Sequence, residues 1–271
     1  MKIGIVSLGL IGGSLFKKLA DFSNENEIFA VTRNQNTINK AKNYSNNVSS
    51  DLKTLKNCDV IFVASPINKT LEILDKLEEI ASPNCIVLDC ASVKDFVMQK
   101  NRPYKFIGSH PMAGTEFTGF DASFKELFEN AKWVLTPSQN VDDKDIDTVT
   151  NIIKKTGAKI IIADAKQHDE AVALISHMPL LLAQALFYTV KDNELALKLA
   201  SSGFRDMTRL ACSNLEMAAD MRNFNSSNIT NSIDKLKNSL NFLQNTKDLK
   251  IYSEIKDIRS KMYSKEGKNI F

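Results

Sequence analysis

The segment from Lys2 to Leu19, KIGIVSLGLIGGSLFKKL, constrains the fold more than any other part of the chain. Its first five residues predict a β-strand, the small residues Ser7–Gly9 predict a turn, and the apolar periodicity from Leu10 predicts a helix. Such a turn points backbone N–H groups and the positive end of a helix dipole at one spot, which suits a pyrophosphate. We therefore predict a dinucleotide-binding turn here.

The glycine spacing supports this prediction with one departure. The fingerprint G-x-G-x-x-G of dinucleotide-binding turns occurs as Ser7-x-Gly9-x-x-Gly12, so serine replaces the first glycine. A serine there carries strain of about 1–2 kcal/mol if its φ angle must be positive, and none otherwise. The residues predicted to contact the cofactor in this turn are Ser7, Leu8, Gly9, Leu10, Ile11 and Gly12.

The end of the second predicted strand indicates which dinucleotide is bound. Thr32 lies twenty residues after Gly12, where an NAD-binding fold places an acid that binds the ribose hydroxyls. This chain offers Thr32, Arg33 and Asn34 instead. A guanidinium binds a 2′-phosphate that an acid would repel, so the sequence favours NADP over NAD. The alternative is that Arg33 is a solvated charge at the end of a strand.

Strand and helix signals alternate as far as residue 163. The predicted strands are Lys2–Val6, Glu27–Asn34, Asp59–Ser65, Cys85–Ser92, Tyr104–Ser109, Lys132–Pro137 and Ala158–Ala163. Predicted helices between them include Asn68–Ala81 and Asp142–Thr156. This alternation predicts an α/β fold with a doubly wound, mainly parallel sheet. Ser65 and Pro66 end a buried strand at the carboxyl edge of that sheet, where we expect them to lie beside the cofactor.

After Ala163 the strand signals stop. The predicted helices are Ala165–Val190, Glu194–Leu199, Phe204–Phe224, Asn228–Asn245 and a charged segment from Leu249. We predict two domains, a dinucleotide-binding domain over residues 1–164 and an all-α domain over residues 165–271. No Pro/Gly-rich linker separates them, so we expect the active cleft along their interface.

Composition excludes several functional classes. The 271 residues carry a net charge of +3 with no block of Lys or Arg, which argues against nucleic acid as a partner. No stretch of eighteen uninterrupted apolar residues occurs, so we expect no membrane span. The first strand begins at Lys2 and leaves no room for a leader, which favours a cytoplasmic protein. The cysteine spacing predicts no metal site.

Three histidines are the candidates for acid–base chemistry near neutral pH: His110, His168 and His177. His110 follows the predicted strand Tyr104–Ser109 at the carboxyl edge of the sheet. It opens a loop of small and polar residues through which a substrate can approach closely. We predict His110 as the catalytic base, with Thr115 and Glu116 of that loop as substrate contacts. The alternative is a histidine that caps a strand-end carbonyl.

Two further groups are candidates for substrate contact. Ser92 ends the neighbouring strand and can donate to the same substrate or orient the imidazole, although a helix N-cap is the alternative role. Arg205 and Arg209 are four residues apart on one predicted helical face and form a candidate carboxylate clamp. The alternative is that they pair with Asp206 or with acids on another helix.

The remaining two histidines are nine residues apart, which places them on nearly opposite sides of an ideal helix. Both cannot face one site unless Pro179 kinks the helix. His177 lies in the sequence Ser-His-Met-Pro, which is either a plain kink motif or a source of polar groups near the freed carbonyl. We include His177 among the candidate substrate-binding residues.

Several motifs together resemble the prephenate/arogenate dehydrogenase family. They are GLIGGS (Gly9–Ser14), ASVK (Ala91–Lys94), SHPMAGTE (Ser109–Glu116), HDE with SHMP (His168–Glu170 and Ser176–Pro179) and GFRDMTR (Gly203–Arg209). The resemblance covers nearly the whole chain. It implies a Rossmann domain followed by a helical dimerisation domain, hence a homodimer. It also implies NAD(P)-dependent oxidative decarboxylation of prephenate to 4-hydroxyphenylpyruvate, or of arogenate to tyrosine.

The resemblance also implies roles for three residues. His110 would hydrogen-bond the ring hydroxyl of the substrate and accept its proton as hydride leaves the same carbon. Ser92 lies beside it in the family, and Arg209 matches an arginine that binds a substrate carboxylate. Three positions differ from the family pattern: Ser7, Leu180, where many members have a second histidine, and Ala218, where tryptophan is frequent.

Two other interpretations remain open. One is a related enzyme for a different 3-hydroxy or imino acid, but such enzymes rely on a lysine motif that the helical half lacks. The other is a non-catalytic nucleotide-binding relative, which the three departures from the pattern suggest. We expect neither an appended ligand-sensing module nor a fused chorismate mutase.

Overall fold

The computed structural model describes residues 1–263. Its strands are β1 (Lys2–Val6), β2 (Glu27–Val31), β3 (Val48–Ser49), β4 (Val60–Val63), β5 (Ile86–Asp89), β6 (Lys105–Pro111), β7 (Lys132–Pro137) and β8 (Lys159–Ile162). They form one sheet in the order β3-β2-β1-β4-β5-β6-β7-β8. Neighbouring strands are parallel except for β6 and β7, which are antiparallel. The predicted α/β fold with a mainly parallel sheet is confirmed.

Twelve helices accompany the sheet within the described residues. They are α1 (Leu10–Ala20), α2 (Gln35–Ala41), α3 (Ile67–Leu77), α4 (Asp95–Met98), α5 (Asp143–Lys154), α6 (Ala165–Val172), α7 (Met178–Val190), α8 (Glu194–Leu199), α9 (Ser202–Thr208), α10 (Leu215–Phe224), α11 (Ser226–Asn245) and α12 (Leu249–Met262). Short 3-10 turns occur at Leu52–Leu55 and Arg209–Cys212, and a π-helical turn at Ala173–His177 joins α6 to α7.

Apolar side chains cover both faces of the sheet because successive residues of a strand point to opposite sides. In β1, Ile3 and Ile5 pack with Leu15 and Phe16 of α1, whereas Val6 belongs to a second cluster that contains Leu74 of α3. A sheet buried on both faces needs continuous apolar strands, and the VIFV run of β4 is fully buried. The sheet is therefore doubly wound, as predicted.

The structure corrects several predicted boundaries. The strand β3 was not predicted because it is two residues long. Segment Phe204–Phe224 is not one helix, because a 3-10 turn follows α9 and the side chain of Asn214 caps α10 by accepting from the Met217 N–H at 2.9 Å. Asparagine competes for backbone hydrogen bonds in this way and favours helix starts. The strand β6 continues through His110 to Pro111, two residues beyond the predicted end.

The described chain divides into two compact units. The first is Met1–Ile229 and contains the sheet and α1–α10. The second begins at Thr230 and contains most of α11 and all of α12, which are joined by a hydrogen bond from the Tyr252 hydroxyl to the Leu243 carbonyl at 3.0 Å. The predicted domain boundary between residues 164 and 165 stays a prediction, and residues 264–271 of the second predicted domain lie outside the described residues.

One helical segment, Ala165–Val190, is long and apolar enough to cross a membrane by length and composition alone. Only 28% of its most apolar window is buried. Its first turns nevertheless contain the buried polar residues His168 and Asp169. The expectation that the chain has no membrane span therefore stays a prediction.

Candidate active site

An open groove of about 650 Å³ runs along the carboxyl ends of β1, β2 and β4. Most of the predicted cofactor residues line it: Ser7, Leu8, Gly9, Thr32, Arg33, Asn34, Ser65 and Pro66. The other three, Leu10, Ile11 and Gly12, form the first turn of α1 and are not among the lining residues. Carboxyl ends of parallel strands are where α/β folds bind dinucleotides.

The turn after β1 has the close geometry that a dinucleotide requires. Ser7 has a φ angle of 70°, and its N–H donates to the Val31 carbonyl of β2 at 2.8 Å. A Cβ atom on Gly12 would lie 2.0 Å from the Ser7 carbonyl oxygen, so only glycine fits there. Gly9 caps α1 without a side-chain hydrogen bond, which leaves the first N–H groups of the helix for an anion. These residues fit a bound pyrophosphate.

Ser7 lies in the left-handed region that favours glycine, so we expect Ser7→Gly to stabilise the protein. The relieved strain of about 1–2 kcal/mol exceeds the added backbone entropy of the unfolded chain, about 0.5–1 kcal/mol. Urea unfolding should show a higher midpoint. Asn130→Gly is the matched control, because Asn130 has a φ of 62° but asparagine tolerates this region and gains less. A lower midpoint for Ser7→Gly than for the wild type would contradict the expected strain.

The groove presents a free cation where the adenosine ribose is expected. Arg33 is exposed and forms no ion pair with any of residues 1–263. The neighbouring polar side chains are engaged in capping: Asn34 accepts from the Thr37 N–H at 3.0 Å, and Asp51 accepts from the Lys53 N–H at 2.9 Å. Arg33 is therefore available for a ligand anion.

A buried ion pair fixes the sheet edge beside this groove. The side chains of Asp89, at the end of β5, and Lys94 are both fully buried and contact each other. The Lys94 ammonium also donates to the Ser109 carbonyl at 2.7 Å, and the Asp89 carboxylate accepts from the N–H groups of Ser109 and Ala91, each at 2.9 Å. The pair therefore locks the loop after β5 against β6.

His110 lies in the part of β6 that extends past its parallel neighbour β5. Its Nδ1 atom is 2.9 Å from Nε2 of His168 on α6. Burial, followed by the nearby groups His168, Lys94 and His177, holds the pKa of His110 well below its usual value. The imidazole is thus neutral at pH 7 and can accept a proton.

The π-helical turn changes the prediction for the other two histidines. A nine-residue separation on a regular helix would place His168 and His177 on opposite sides, but the wider turn at Ala173–His177 alters the phase between them. Both now lie close enough to lower the pKa of His110. The π-helical turn therefore brings the two histidines together, and it ends immediately before α7, whose first turn contains Pro179.

His177 is a buried neutral donor. Burial lowers its pKa to about 4. The amide nitrogen of Asn225 lies 3.1 Å from its Nδ1 and also donates to the Asp169 carbonyl at 2.8 Å, while the amide oxygen accepts from Asn228. Nδ1 of His177 therefore accepts, and Nε2 carries the proton. That Nε2 is buried and has no partner among the described residues, so it can donate to a ligand oxygen.

Ser92 provides a second unpaired group. Its hydroxyl is buried and has no hydrogen-bond partner within the described chain. Lys94, and not Ser92, is the N-cap residue of α4. The N–H groups of Lys94 and Asp95 instead donate to the Asp169 carboxylate at 2.7 and 2.8 Å. The structure therefore does not support the alternative that Ser92 caps a helix.

The other predicted substrate contacts lie at the surface. Thr115 and Glu116 are exposed, and the Thr115 hydroxyl accepts from the Phe117 N–H at 3.2 Å. Arg205 is exposed and its Nε donates to Asp206 at 3.1 Å, as in the alternative considered for it. Arg209 is exposed at the start of the 3-10 turn after α9, so the single helix assumed for the arginine clamp is divided there. Their substrate roles stay predictions.

Two positions that depart from the family pattern pack together. Leu180 and Ala218 are buried in one apolar cluster with Met221, against which Leu210 packs. The turn that carries Arg209 thus rests on an apolar surface at the start of α7. No polar side chain from position 180 or 218 reaches the site.

The order of strands in the sheet and the glycine-containing turn after β1 define the class of Rossmann-type dinucleotide-binding proteins. Residues 17–162 match the model of the prephenate dehydrogenase nucleotide-binding domain, and residues 164–253 match that of the prephenate dehydrogenase dimerization domain. The chain belongs to the prephenate dehydrogenase family.

Similar proteins and solved structures agree with this family assignment. A prephenate dehydrogenase of Bacillus subtilis is 29% identical over 85% of this chain and 66% of its own length, and that of Lactococcus lactis is 33% identical over 78% and 61%. The chain therefore spans about two thirds or less of these two relatives. The Synechocystis arogenate dehydrogenase structure has a TM-score of 0.80 and 34% identity, covering 96% of this chain and 95% of its own. Prephenate dehydrogenase from A. aeolicus, in complex with hydroxyphenyl propionate and NAD+, has a TM-score of 0.81 and 28% identity over 95% and 93%.

Proposed function

We propose that the protein is a prephenate dehydrogenase that catalyses the NAD(P)-dependent oxidative decarboxylation of prephenate to 4-hydroxyphenylpyruvate. The observation that carries this proposal is the position of His110, a neutral imidazole at the sheet edge that also forms the dinucleotide groove. Hydride removal from a carbon that bears a hydroxyl requires a base for the hydroxyl proton, and a neutral histidine is suited to that task at pH 7.

The roles of the side chains follow from their hydrogen-bonding state. Nε2 of His110 takes the proton of the substrate hydroxyl. The unpaired donors, the Ser92 hydroxyl and Nε2 of His177, bind substrate oxygens, and Arg209 binds a substrate carboxylate. A nicotinamide bound in the groove would supply the hydride acceptor. Loss of carbon dioxide then yields an aromatic ring, which makes the step effectively irreversible.

The proposed cofactor is NADP in preference to NAD. Thr32 occupies the position of the acid that NAD requires, and Arg33 is free to bind a 2′-phosphate. Charge-assisted hydrogen bonds to a phosphate favour its binding by about 10- to 100-fold. Arg33→Ala should therefore raise KM for NADP by that factor and leave KM for NAD unchanged. Lys42→Ala, which removes an exposed cation at the end of α2, is the matched control.

Arogenate is a second candidate substrate, and a specific observation favours it. Leu180 is buried among apolar residues at a position where many family members have a histidine. Position 180 therefore offers no imidazole to the substrate side chain. The Synechocystis structure, at 34% identity, is an arogenate dehydrogenase. Arogenate differs from prephenate by an amino group on that side chain.

We further propose a cytoplasmic homodimer formed through the helical segments of residues 165–224. Large apolar side chains are exposed there, including Ile175 at 65%, Tyr188 at 72% and Leu215 at 78%. Surfaces of this kind mark contacts between subunits, and the matched C-terminal family model is a dimerization domain. Sedimentation of the purified protein as a monomer would contradict this proposal.

One set of assays tests the reaction. Purified protein is given prephenate or arogenate with each nicotinamide cofactor, and cofactor reduction is followed by absorbance. We expect turnover with prephenate and NADP, and the ratio of kcat/KM values ranks the two substrates. The absence of reduction with every combination would reject the dehydrogenase and leave the non-catalytic relative.

A further inference from the structure

Three buried or partly buried side chains form a continuous hydrogen-bonded chain that ends at His110. Nδ1 of His110 is 2.9 Å from Nε2 of His168, and Nδ1 of His168 is 2.8 Å from Oδ1 of Asp169. The side chains of His168 and Asp169 are each 2% exposed. Bulk water therefore does not compete for the bond between His168 and Asp169.

The carboxylate of Asp169 is held in place from the opposite side. Its two oxygens accept from the backbone N–H groups of Lys94 and Asp95. The loop that contains these amides is itself tied to β6 by the Lys94–Asp89 ion pair. Asp169 thus occupies a fixed position relative to His110, and as a carboxylate it can only accept hydrogen bonds.

An acceptor at one end of the chain determines where every proton lies. Nδ1 of His168 must carry a proton to donate to Asp169, and in a ring with a single N–H the other nitrogen, Nε2, then accepts. Nδ1 of His110 must then donate, which leaves Nε2 of His110 with a bare lone pair. This is the tautomer that a general base for a substrate hydroxyl requires.

The same residue Asp169 serves the second imidazole through its backbone. Its carbonyl accepts from Asn225, whose amide nitrogen faces Nδ1 of His177 and leaves the proton of that ring on Nε2. The two imidazoles of the site therefore hold opposite states, a bare Nε2 on His110 and a protonated Nε2 on His177. One accepts a proton and the other donates a hydrogen bond.

We propose that His168, held by Asp169, is a positioning residue that fixes the tautomer and ring orientation of His110. This inference rests on the proposed function and deepens it. The charged and titratable groups near His110 are His168 from α6, Lys94 from the loop before α4, and His177 from the π-helical turn, and Asp169 contacts His168. Removal of His168 leaves His110 in place but lets its ring turn and its proton occupy either nitrogen.

Two substitutions at position 168 separate orientation from bulk. His168→Leu removes the acceptor, and we expect kcat to fall by about 10- to 100-fold, a part of the 10²–10⁴-fold that general base catalysis typically contributes. His168→Gln retains an acceptor near the position of Nε2 and should recover most of that loss. KM for the cofactor should not change in either variant. Gln167→Leu, an exposed neighbour on α6, is the matched control and should behave as the wild type.

A spectroscopic readout does not depend on turnover. With ¹⁵N-labelled histidine the protein gives signals from only three imidazoles, and ¹⁵N shifts distinguish a protonated from a bare ring nitrogen. We expect His110 to be protonated at Nδ1 and bare at Nε2 in the wild type, and to populate both tautomers in His168→Leu. A proton on Nε2 of wild-type His110, or full kcat in His168→Leu, would overturn the inference.

If His168→Leu does not fold, the wild-type spectrum and the kinetics of His168→Gln test the inference instead. Absence of turnover in the wild type would reject the proposed function and leave the spectroscopic test intact.

Discussion

Replacing His110 by alanine should lower kcat by about 10²–10⁴-fold while KM for substrate and cofactor changes little. A positioned general base acts mainly in the transition state, where the hydroxyl proton is in transfer, so its loss affects turnover more than binding. Steady-state kinetics with prephenate measures both parameters. Met112→Ala, which shortens a partly buried side chain just beyond β6, is the control for local disturbance and should retain kcat.

The pH dependence gives this prediction a second test. In the proposed mechanism the neutral form of His110 is the active one, and its pKa lies well below the usual value because of burial and of the nearby His168, Lys94 and His177. Activity is therefore full at pH 7 and is lost as the pH falls through that lowered pKa, below about 6.5. In His110→Ala this acidic limb should disappear. A variant that keeps both the limb and the wild-type kcat would remove His110 from the mechanism.

Replacing Lys94 by methionine should destabilise the fold by about 3–5 kcal/mol, because it leaves the Asp89 carboxylate buried without its counter-charge. The ammonium also donates to the Ser109 carbonyl, which would lose that donor. Urea unfolding measures the change. Lys100→Met is the matched control: Lys100 pairs with Asp75 and Glu78 but is half exposed, so water replaces the pair and the change should be far smaller.

A double variant distinguishes charge burial from lost packing. Lys94→Met combined with Asp89→Asn leaves no unpaired charge and should recover part of the stability that Lys94→Met loses. The Asp89 carboxylate accepts from the N–H groups of Ala91 and Ser109. Asparagine retains an acceptor for one of these two N–H groups. Equal midpoints for Lys94→Met and Lys100→Met would show that the pair does not stabilise the sheet edge.

The fold was predictable because its determinants are local. The strand, turn and helix of Lys2–Leu19 each have a residue pattern of their own, and the run Asp59–Ser65 has the continuous apolar character of a doubly buried strand. Strain at Ser7 was also predictable, because serine there replaces a glycine of the fingerprint. The observed φ of 70° lies in the left-handed region where that strain occurs. The sequence did not predict two features, the two-residue strand β3 and the break in the helix after α9.

The site was only partly predictable because its contacts join distant segments. His110 and His168 are 58 residues apart, and the Asp169 amide partners lie 75 and 74 residues away. No spacing in the sequence assigns roles to Lys94, Asp169 or Asn225. The signal that was available for Asp169 was the His-Asp-Glu motif, because a histidine next to an acid can form this hydrogen bond. The π-helical turn had no signal, since regular helix geometry places His168 and His177 apart.

That turn has a genetic consequence. A π-helical turn contains one residue more than the α-helical turn that it replaces. Deletion of a single codon within positions 173–176 would restore a regular helix and rotate everything beyond it by about 100°. His177 would then lose its contact with Asn225, although neither side chain had been substituted. One in-frame codon therefore separates a helix that brings both His168 and His177 near His110 from a helix that does not.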